Sequence, residues 1–467
     1  MQMNNRISIY SFRCMALLAS LSLFSCNKQL DLSPTDTMDE DKAYRNVADL
    51  NGGLLGAYSG LSFNAIYAVS LVTDECTLPG ENSTGGGFAS YRWQIDPSNT
   101  TITDAFGEYY IVIDRINRVL GALDKVSAKP AEVAAKAQYQ GELLALRAYC
   151  HFALLQNFAE AYTAGKMGVP YMEKSGIGSP ARHSFNDVVS KLEKDLQLAK
   201  TLIPADADDR GRITKAGVSA IQARVALYAK QWDDAVTFST EAIDAVPLAD
   251  RSAFPGIWTD TKSDEVIWKI KKVVSDDLIG QLYFNRRRAL YVPSFELIGL
   301  FDKVNDVRYP AFILFDDTRG DGKSQYLVNK YSGAAGTPGL ADIKLFRTGE
   351  MYLIRAEARA EKAQLTAAAK DLNDLRAARI KDYTPKNFAD KNALMEGIVT
   401  ERFKELAFEG HRMFDLRRWN LPVTRNPEDA VLASGAVLLT PGKKGYVFPI
   451  PDREMKANKN MNQNPGY

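Results

Sequence analysis

The stretch that decides the fold is YQGELLALRAYCHFALLQNF, residues 139–158. Apolar residues recur in it at intervals of three and four, which is the spacing of one face of an α-helix. The residues on that face are Leu143, Leu146, Cys150 and Leu154, with Leu144, Ala148 and Leu155 beside them. The pattern predicts a largely buried helix in which Cys150 is a free thiol of the core.

Two further segments, residues 211–243 and 348–380, are rich in alanine and also have helical spacing. The first is interrupted near Lys230-Gln231 and the second near Ala363-Gln364, so each segment predicts a pair of helices joined by a short turn. Small residues let such helices approach closely. The periodicity predicts a helical array with hairpin repeats, and the pairs resemble tetratricopeptide hairpins.

Residues 72–103 and 251–346 are richer in glycine, proline, threonine and aromatic residues than the predicted helices. This composition predicts two loop-rich insertions with a few short strands. No linker or long run of charge divides the chain, which indicates one extended folding unit.

The composition excludes several classes of protein. The 467 residues are 46% hydrophobic and 25% charged, as in an ordinary globular protein, and the formal net charge is +1. Because both signs of charge are interspersed, the sequence predicts no nucleic-acid partner. The densest basic cluster is Arg286-Arg287-Arg288, for which we favour a solvated surface loop over an anion site.

The first 25 residues have the pattern of a secretory signal. Arg6 and Arg13 precede an apolar run from Met15 to Phe24 that is too short to span a bilayer. Ser25-Cys26 follows and resembles a lipobox, in which the cysteine becomes the lipidated first residue of the mature chain. We therefore expect a signal peptide at residues 1–25, a lipid anchor at Cys26 and a single domain over residues 26–467.

The sequence offers one arrangement typical of a glycosidase. Glu401, Glu405 and Glu409 recur every four residues, and paired carboxylates are what sugar hydrolysis needs. We favour a packed ion network instead, because arginines are available nearby to neutralise the acids. Those arginines are Arg402, Arg412, Arg417 and Arg418.

The three histidines, His151, His183 and His411, have no second ligand at a zinc spacing. His151 lies within the buried helix pattern and is interpreted as a hydrogen-bonded core residue. The sequence thus predicts no catalytic residue, no metal site and no cofactor.

Several motifs together resemble the SusD/RagB family of nutrient-uptake lipoproteins. The most specific are ERFKELAFEGHRMFDLRRWN at residues 401–420 and PIPDREMKANKNMNQNPGY at residues 449–467. Residues 30–34, LDLSP, and the helix at residues 141–158 also fit the family pattern, although Ala159 stands where glycine is usual. The resemblance implies a mostly α-helical fold, in which tetratricopeptide-like hairpin pairs support an irregular, loop-rich ligand-binding subdomain.

The resemblance also implies a function. Members of this family are lipid-anchored in the outer membrane of Bacteroidota-type bacteria, facing the cell surface, and capture an oligosaccharide or polysaccharide for a SusC-like TonB-dependent transporter. The alternatives are a peptide receptor of the RagB type, a surface glycoside hydrolase and a helical scaffold for protein partners. Only the first of these alternatives accounts for the QNPGY ending.

A glycan site needs flat aromatic side chains on rigid loops, with polar groups around them. Residues 81–93 and 283–291 supply such side chains, and in the family the early loop contributes to the glycan surface. The candidates are Phe88, Tyr91, Arg92, Trp93, Tyr283, Arg287 and Tyr291. The alternative is that the aromatic residues among them anchor their loops to the helical body.

Overall fold

The computed structural model describes residues 43–334 and 336–467. The predicted signal segment, Cys26 and the motif at residues 30–34 lie outside the described residues. Nearly all of the described chain, from Asn46 to Tyr467, belongs to one compact unit.

The described chain is mostly helical, as predicted. The helices are α1 (Val47–Tyr58), α2 (Asn64–Val72), α3 (Phe88–Tyr91), α4 (Thr100–Ala122), α5 (Val133–Phe158), α6 (Phe185–Leu202), α7 (Lys215–Ala229), α8 (Trp232–Ala245), α9 (Phe254–Trp258), α10 (Gly280–Tyr283), α11 (Phe295–Gly299), α12 (Arg308–Phe312), α13 (Thr348–Glu361), α14 (Leu365–Ala377), α15 (Lys391–Glu405), α16 (Arg412–Trp419) and α17 (Asp452–Ala457).

The strands are short and form two-stranded antiparallel pairs. They are β1 (Cys76–Thr77), β2 (Val266–Ile270), β3 (Phe284–Asn285), β4 (Arg288–Ala289), β5 (Val292–Pro293), β6 (Ile313–Phe315), β7 (Tyr326–Val328), β8 (Gly333–Ala334), β9 (Thr337–Pro338), β10 (Ile343–Arg347), β11 (Val423–Thr424) and β12 (Leu438–Leu439). The pairs are β1 with β5, β2 with β10, β3 with β4, β6 with β7, β8 with β9 and β11 with β12.

The long helices pack in sequence order. Helix α5 contacts α4 and α6, α7 follows α6, α8 lies between α7 and α13, and α13 contacts α14 and α15. Both predicted turns are confirmed: Lys230 ends α7 and Ala363 follows α13, each with a positive φ that reverses the chain. The structure is therefore an array of helical hairpins, and its likeness to tetratricopeptide repeats stays a prediction.

Helix α5 begins at Val133, earlier than the predicted stretch, and is buried from Gly141 to Phe158. Cys150 is a buried free thiol, as expected. The helix ends without a left-handed residue, since Ala159 is extended with φ −64° and ψ 144°. Because that conformation is open to any L-residue, alanine is accommodated where the family pattern has glycine.

The QNPGY ending closes onto the helical body. The side-chain amide of Asn464 donates to the carbonyls of Phe158 at 2.9 Å and Phe448 at 2.7 Å. Its oxygen accepts from Arg182 at 2.9 Å. Gln463 likewise both donates to and accepts from the backbone of Ile450. The terminal motif is thus a set of amide side chains that pair otherwise buried backbone groups.

Strands β2 and β10 bring together the two ends of the chain segment that runs between them. Trp268 of β2 is fully buried, with its ring 4.8 Å from that of Tyr149 on α5 and stacked at 6.1 Å on Phe346 of β10. These contacts attach the loop-rich segment, residues 251–346, to the helical body. Within the described residues, no helix combines the length and apolar character needed to cross a membrane.

Candidate ligand-binding surface

The two loops predicted to form a glycan site lie against each other. The side-chain amide of Asn82 donates to the carbonyl of Leu290 at 2.7 Å. The hydroxyl of Tyr291 donates to the carbonyl of Gly86 at 2.8 Å, and Arg288 donates to Ser83 Oγ at 3.0 Å. The family resemblance pointed only to the early loop, and residues 283–291 were proposed as a second edge from their aromatic residues; these contacts join the two loops directly.

Three of the predicted ligand contacts are buried instead. Tyr91, Tyr283 and Tyr291 are at most 1% exposed. The Tyr91 hydroxyl donates to the carbonyl of Asp429 at 2.5 Å, and that of Tyr283 donates to Ser70 Oγ at 3.0 Å. The prediction that these tyrosines touch a ligand is therefore corrected, because rings and hydroxyls alike are used to anchor the loops.

Trp93, Phe88 and Arg92 are half-buried. The indole nitrogen of Trp93 donates to the carbonyl of Val72 at 2.9 Å, and the guanidinium of Arg425 lies 4.6 Å from its ring centre. Arg92 lies 4.9 Å from the Phe88 ring centre. Trp93 thus anchors its loop, and its remaining exposed edge, with Phe88 and Arg92, stays a candidate for ligand contact.

A group of exposed and half-buried aromatic side chains was not predicted from the sequence. Phe295, the first residue of α11, is 42% exposed, and Phe315, at the end of β6, is 48% exposed. Both pack against the half-buried Tyr326 of β7, with ring centres 6.2 Å and 5.0 Å from it. We call Phe295, Phe315 and Tyr326 the aromatic surface.

A lysine lies beside the aromatic surface. Lys303 Nζ lies 5.6 Å from the Tyr326 ring centre, and the Tyr326 hydroxyl has no hydrogen-bond partner among the described residues. Burial, reinforced by the nearby Asp74 carboxylate, raises the pKa of Glu296 to about 7. A ligand stacked on these rings would meet an aromatic face, the Lys303 ammonium and the Tyr326 hydroxyl.

Glu81 positions the hairpin that carries Phe315 and Tyr326. Its carboxylate accepts from Arg319, in the β6–β7 turn, at 2.7 and 2.8 Å, and from the amide of Ser324 at 3.1 Å. It also accepts from the amide of Ala289 in β4 at 3.2 Å. One carboxylate of the early loop therefore holds hairpins β3–β4 and β6–β7 together.

Asp429 joins the early loop to α11. Its carboxylate accepts from the amide of Phe295 at 2.8 Å and that of Glu296 at 3.2 Å, and from the Thr77 hydroxyl. Its carbonyl accepts from Tyr91. Asp429 is 1% exposed. Its hydrogen bonds to the first two amides of α11 fix the orientation of the helix start that carries Phe295.

The glutamates that raised the possibility of hydrolysis are not accessible. Glu401 and Glu405 are at most 1% exposed, and Glu409 is 9% exposed. Arg347 bridges Glu405 at 2.9 Å, Glu409 at 2.7 Å and Glu265 at 2.6 Å. The predicted packed ion network around these glutamates is confirmed. Helix α15 ends at Glu405, so Glu409 joins the network from the segment that follows the helix.

The partners in that network differ from those predicted. The cations on the three glutamates are Arg308, Arg347, Arg376, Arg379 and Lys330. Of the predicted arginines, Arg402 pairs with Asp415, Arg412 with Asp74, and Arg418 with Asp415 and Glu357, whereas Arg417 donates to backbone carbonyls. Arg402 follows Glu401 on α15 and therefore points to a different face of that helix. Arg412, Arg417 and Arg418 belong to a separate helix, α16, and find other partners.

His151 has the core role expected of it. Its Nδ1 lies 2.9 Å from the carbonyl of Arg147, its Nε2 accepts from the amide of Met172 at 2.9 Å, and burial lowers its pKa to about 3. A neutral ring that is hydrogen-bonded on both sides is a structural histidine. In the described part of the chain no three histidine, cysteine or acidic side chains are grouped so as to hold a metal ion.

A helical body that presents a loop-built aromatic surface is the architecture of a binding protein. A family model described as "SusD family" matches residues 322–467, and one described as "Starch-binding associating with outer membrane" matches residues 29–227. The two matches do not overlap, and both come from the SusD group of families. The chain belongs to the SusD/RagB family.

Relatives match over almost the whole length. The SusD-like protein P38 of Formosa agariphila is 24% identical, with 97% of this chain and 98% of P38 covered. A SusD-like carbohydrate-binding protein of Bacteroides vulgatus shares the fold with a TM-score of 0.75 at 22% identity, covering 90% of this chain and 98% of its own. A laminarin-binding SusD-like protein has a TM-score of 0.70 at 20% identity, covering 91% and 100%.

Proposed function

We propose that this protein is a glycan receptor that captures an oligosaccharide or polysaccharide without making or breaking a bond. The observation that carries the proposal is the aromatic surface of Phe295, Phe315 and Tyr326. Sugar rings have apolar C–H faces, and exposed aromatic rings on fixed elements provide the flat apolar partner for them.

The rigidity of this surface supports binding. Phe315 and Tyr326 lie on the hairpin that Glu81 holds, and Phe295 lies on a helix whose first amides are held by Asp429. A preorganised site loses less side-chain entropy when the ligand binds. The half-buried Trp93, Phe88 and Arg92 form a second candidate edge, with Arg92 Nε donating to the carbonyl of Leu432 at 3.2 Å in the same segment as Asp429.

A non-enzymatic role fits the buried acids. Retaining and inverting glycosidases both need two accessible carboxyl groups that flank the scissile bond. Glu401, Glu405 and Glu409 are instead saturated by arginine and lysine side chains. An enzyme that used these glutamates as catalytic groups would have to break the buried ion pairs that they form.

The proposal includes the cellular setting that the family resemblance implies. The chain is anchored through lipid at Cys26 to the outer membrane, faces the cell surface, and presents the glycan to a SusC-like TonB-dependent transporter. Labelling with radioactive palmitate, with Cys26→Ser as control, tests the anchor. Protease digestion of intact cells tests the facing, and co-purification of a transporter from native membranes tests the partner.

Ligand class is tested with an array of soluble glycans and peptides, probed with the wild-type protein and with the Phe315→Ala, Tyr326→Ala double variant. We expect binding to one or more glycans that the double variant loses while its unfolding midpoint is little changed. Binding of peptides alone supports a RagB-like receptor instead. Release of shortened glycan products contradicts the non-enzymatic role.

A further inference from the structure

The tip of hairpin β3–β4 holds two arginines in a conformation that arginine rarely adopts. Asn285 pairs with Arg288, so the loop consists of Arg286 and Arg287 alone. Both have positive φ, +50° and +64°. This is the backbone of a type I′ turn, for which Asn-Gly is preferred. In the left-handed conformation the Cβ of an L-residue crowds the following carbonyl oxygen, whereas glycine has no Cβ and the short polar side chain of asparagine can form a local hydrogen bond.

The charge of the tip is not neutralised within the described chain. Arg286, Arg287 and Arg288 are exposed and form no ion pair with a described residue, and the one hydrogen bond of the three side chains goes to the neutral Ser83 hydroxyl. Glu81 accepts a hydrogen bond from the amide of Ala289, the residue after Arg288, but its carboxylate already pairs with Arg319 and with the amide of Ser324. Two strained positions thus hold guanidinium groups that the fold itself does not use.

The tip and the aromatic surface belong to two hairpins that pack against each other. Ala289 and Val292 form a small core with Leu327, the residue that follows Tyr326 in β7. Glu81 joins the same two hairpins from the other loop. The exposed acids of the β6–β7 turn, Asp317 and Asp321, form no ion pair with the arginines of the tip. Because Leu327 packs on the β3–β4 hairpin, the alternation of side chains along β7 puts Tyr326 and its cross-strand partner Phe315 on the other face of the β6–β7 hairpin. A polymer that stacks on these two rings must therefore extend past the edge of this hairpin to reach the tip.

We infer that Arg286 and Arg287 bind anionic substituents of the glycan, so that the ligand is an acidic polysaccharide carrying carboxylate or sulfate groups. This inference rests on the proposed glycan-receptor function. Guanidinium groups present planar pairs of donors that match the oxygens of carboxylate and sulfate. Backbone strain that gives no stability in return is typical of functional sites, and here it displays two such groups side by side.

The test compares polymers with one backbone and different charge: dextran, carboxymethyl dextran and dextran sulfate. The variant is Arg286→Asn with Arg287→Gly, which removes both charges and inserts the preferred type I′ pair, so its unfolding midpoint should be unchanged or higher. The matched control is Lys174→Ser with Lys194→Ser, which removes two exposed charges of the described chain outside residues 72–103 and 251–346.

We expect the wild type to bind at least one charged dextran more tightly than dextran, and the Asn-Gly variant to lose at least about tenfold of that affinity while the control keeps it. Preference for carboxymethyl dextran identifies the anionic group as a carboxylate, and preference for dextran sulfate identifies it as a sulfate. Added salt should weaken either preference. Equal binding of charged and neutral polymers, no binding of either charged polymer, or an Asn-Gly variant that keeps the preference contradicts the inference.

Phe315→Ala separates this inference from the proposed function in the same assay. Neutral glycans that bind through Phe315 without charge preference leave the receptor function standing and refute the acidic ligand. Wild-type protein that ignores all carbohydrates, on the dextran series and the glycan array, refutes both. Binding to anionic phospholipid vesicles but not to charged dextrans assigns the tip to a membrane surface and refutes the acidic glycan.

Discussion

Arg319 Nη2 lies 2.7 Å from one carboxylate oxygen of Glu81 and 2.8 Å from the other. Both side chains are 8% exposed, so this is a largely buried ion pair between two loop segments. Amides from both hairpins converge on the same carboxylate. The position of the aromatic surface relative to the arginine tip depends on this one acid.

Glu81→Gln should loosen the surface without unfolding the body. The substitution removes the charge that Arg319 faces and one of the two acceptor oxygens, a loss of about 1–3 kcal/mol. Hydrogen exchange should accelerate in residues 284–289 and 313–328 and stay unchanged in α5. The control is Glu361→Gln, whose pair with Lys391 is more exposed. Unaltered exchange in both hairpins would show that Glu81 does not hold them.

Phe315→Ala should weaken glycan binding with little effect on stability. An aromatic contact contributes about 1 kcal/mol beyond burial, which corresponds to roughly a fivefold weaker Kd. Phe315 is 48% exposed, so the free energy of unfolding should fall by less than about 1 kcal/mol. Ile177→Ala, at a fully exposed apolar position, is the control and should leave binding intact. Equal affinity in all three proteins removes Phe315 from the site.

Glu75→Gln should stabilise the protein above neutral pH. Burial raises the pKa of Glu75 to about 7, and one of its oxygens has no hydrogen-bond partner among the described residues. A raised pKa gives the folded state the tighter hold on the proton, so the stability from Glu75 is present below its unfolded pKa and lost as pH rises to about 7.

Urea unfolding at pH 5 and pH 8 measures this effect. The difference in unfolding free energy between Glu75→Gln and the wild type should rise with pH by up to about 3 kcal/mol, since each pKa unit is worth 1.36 kcal/mol. Glu396→Gln, at an exposed position of α15, should show no such change. A pH-independent difference for Glu75→Gln would mean that this carboxyl is ionised throughout.

Glu405→Gln should destabilise the helical body strongly. Glu405 is buried and accepts from Arg308, Arg347 and Arg379, so the substitution leaves buried cations short of a partner, at a cost of about 3–5 kcal/mol. Urea unfolding at pH 7 measures it. Asp374→Asn, which breaks an exposed pair with Lys370, should cost less than about 0.5 kcal/mol. Similar stabilities of the two variants would contradict the network's structural role.

Lowering the pH should disrupt the ion network around Glu401 and Glu405. Burial alone would raise the pKa of Glu401, but Arg308, Lys404 and Arg376 outweigh it and lower the pKa to about 2. A lowered carboxyl pKa contributes stability above the unfolded pKa, which is lost as pH falls toward 2. Near-ultraviolet circular dichroism should therefore report loss of packing in that range.

The helical body could be predicted because its information is local. Spacing of apolar residues located α5, and the breaks at Lys230 and Ala363 located both helical turns. The core role of His151 followed from its place in the same pattern. Each inference needed only the chain within a few turns of the residue concerned.

The recognition surface could not be predicted to the same depth, because burial of a loop aromatic depends on distant segments. Tyr91 is buried, and its hydroxyl donates to the carbonyl of Asp429, which lies 338 residues away in sequence. Phe295 and Phe315 are exposed, although nothing in their local sequence separates them from buried phenylalanines. Phe315 and Tyr326 pair across hairpin β6–β7, and which face of that hairpin is covered depends on distant segments of the fold.

The most direct test is a calorimetric titration of the full-length chain in detergent with the best glycan from the array, beside the triple variant Phe295→Ala, Phe315→Ala, Tyr326→Ala. A receptor that uses this surface gives a saturable isotherm for the wild type, no measurable binding for the folded triple variant, and an unchanged glycan recovered afterwards. Full affinity in the triple variant, or a glycan recovered in fragments, would contradict the central claim.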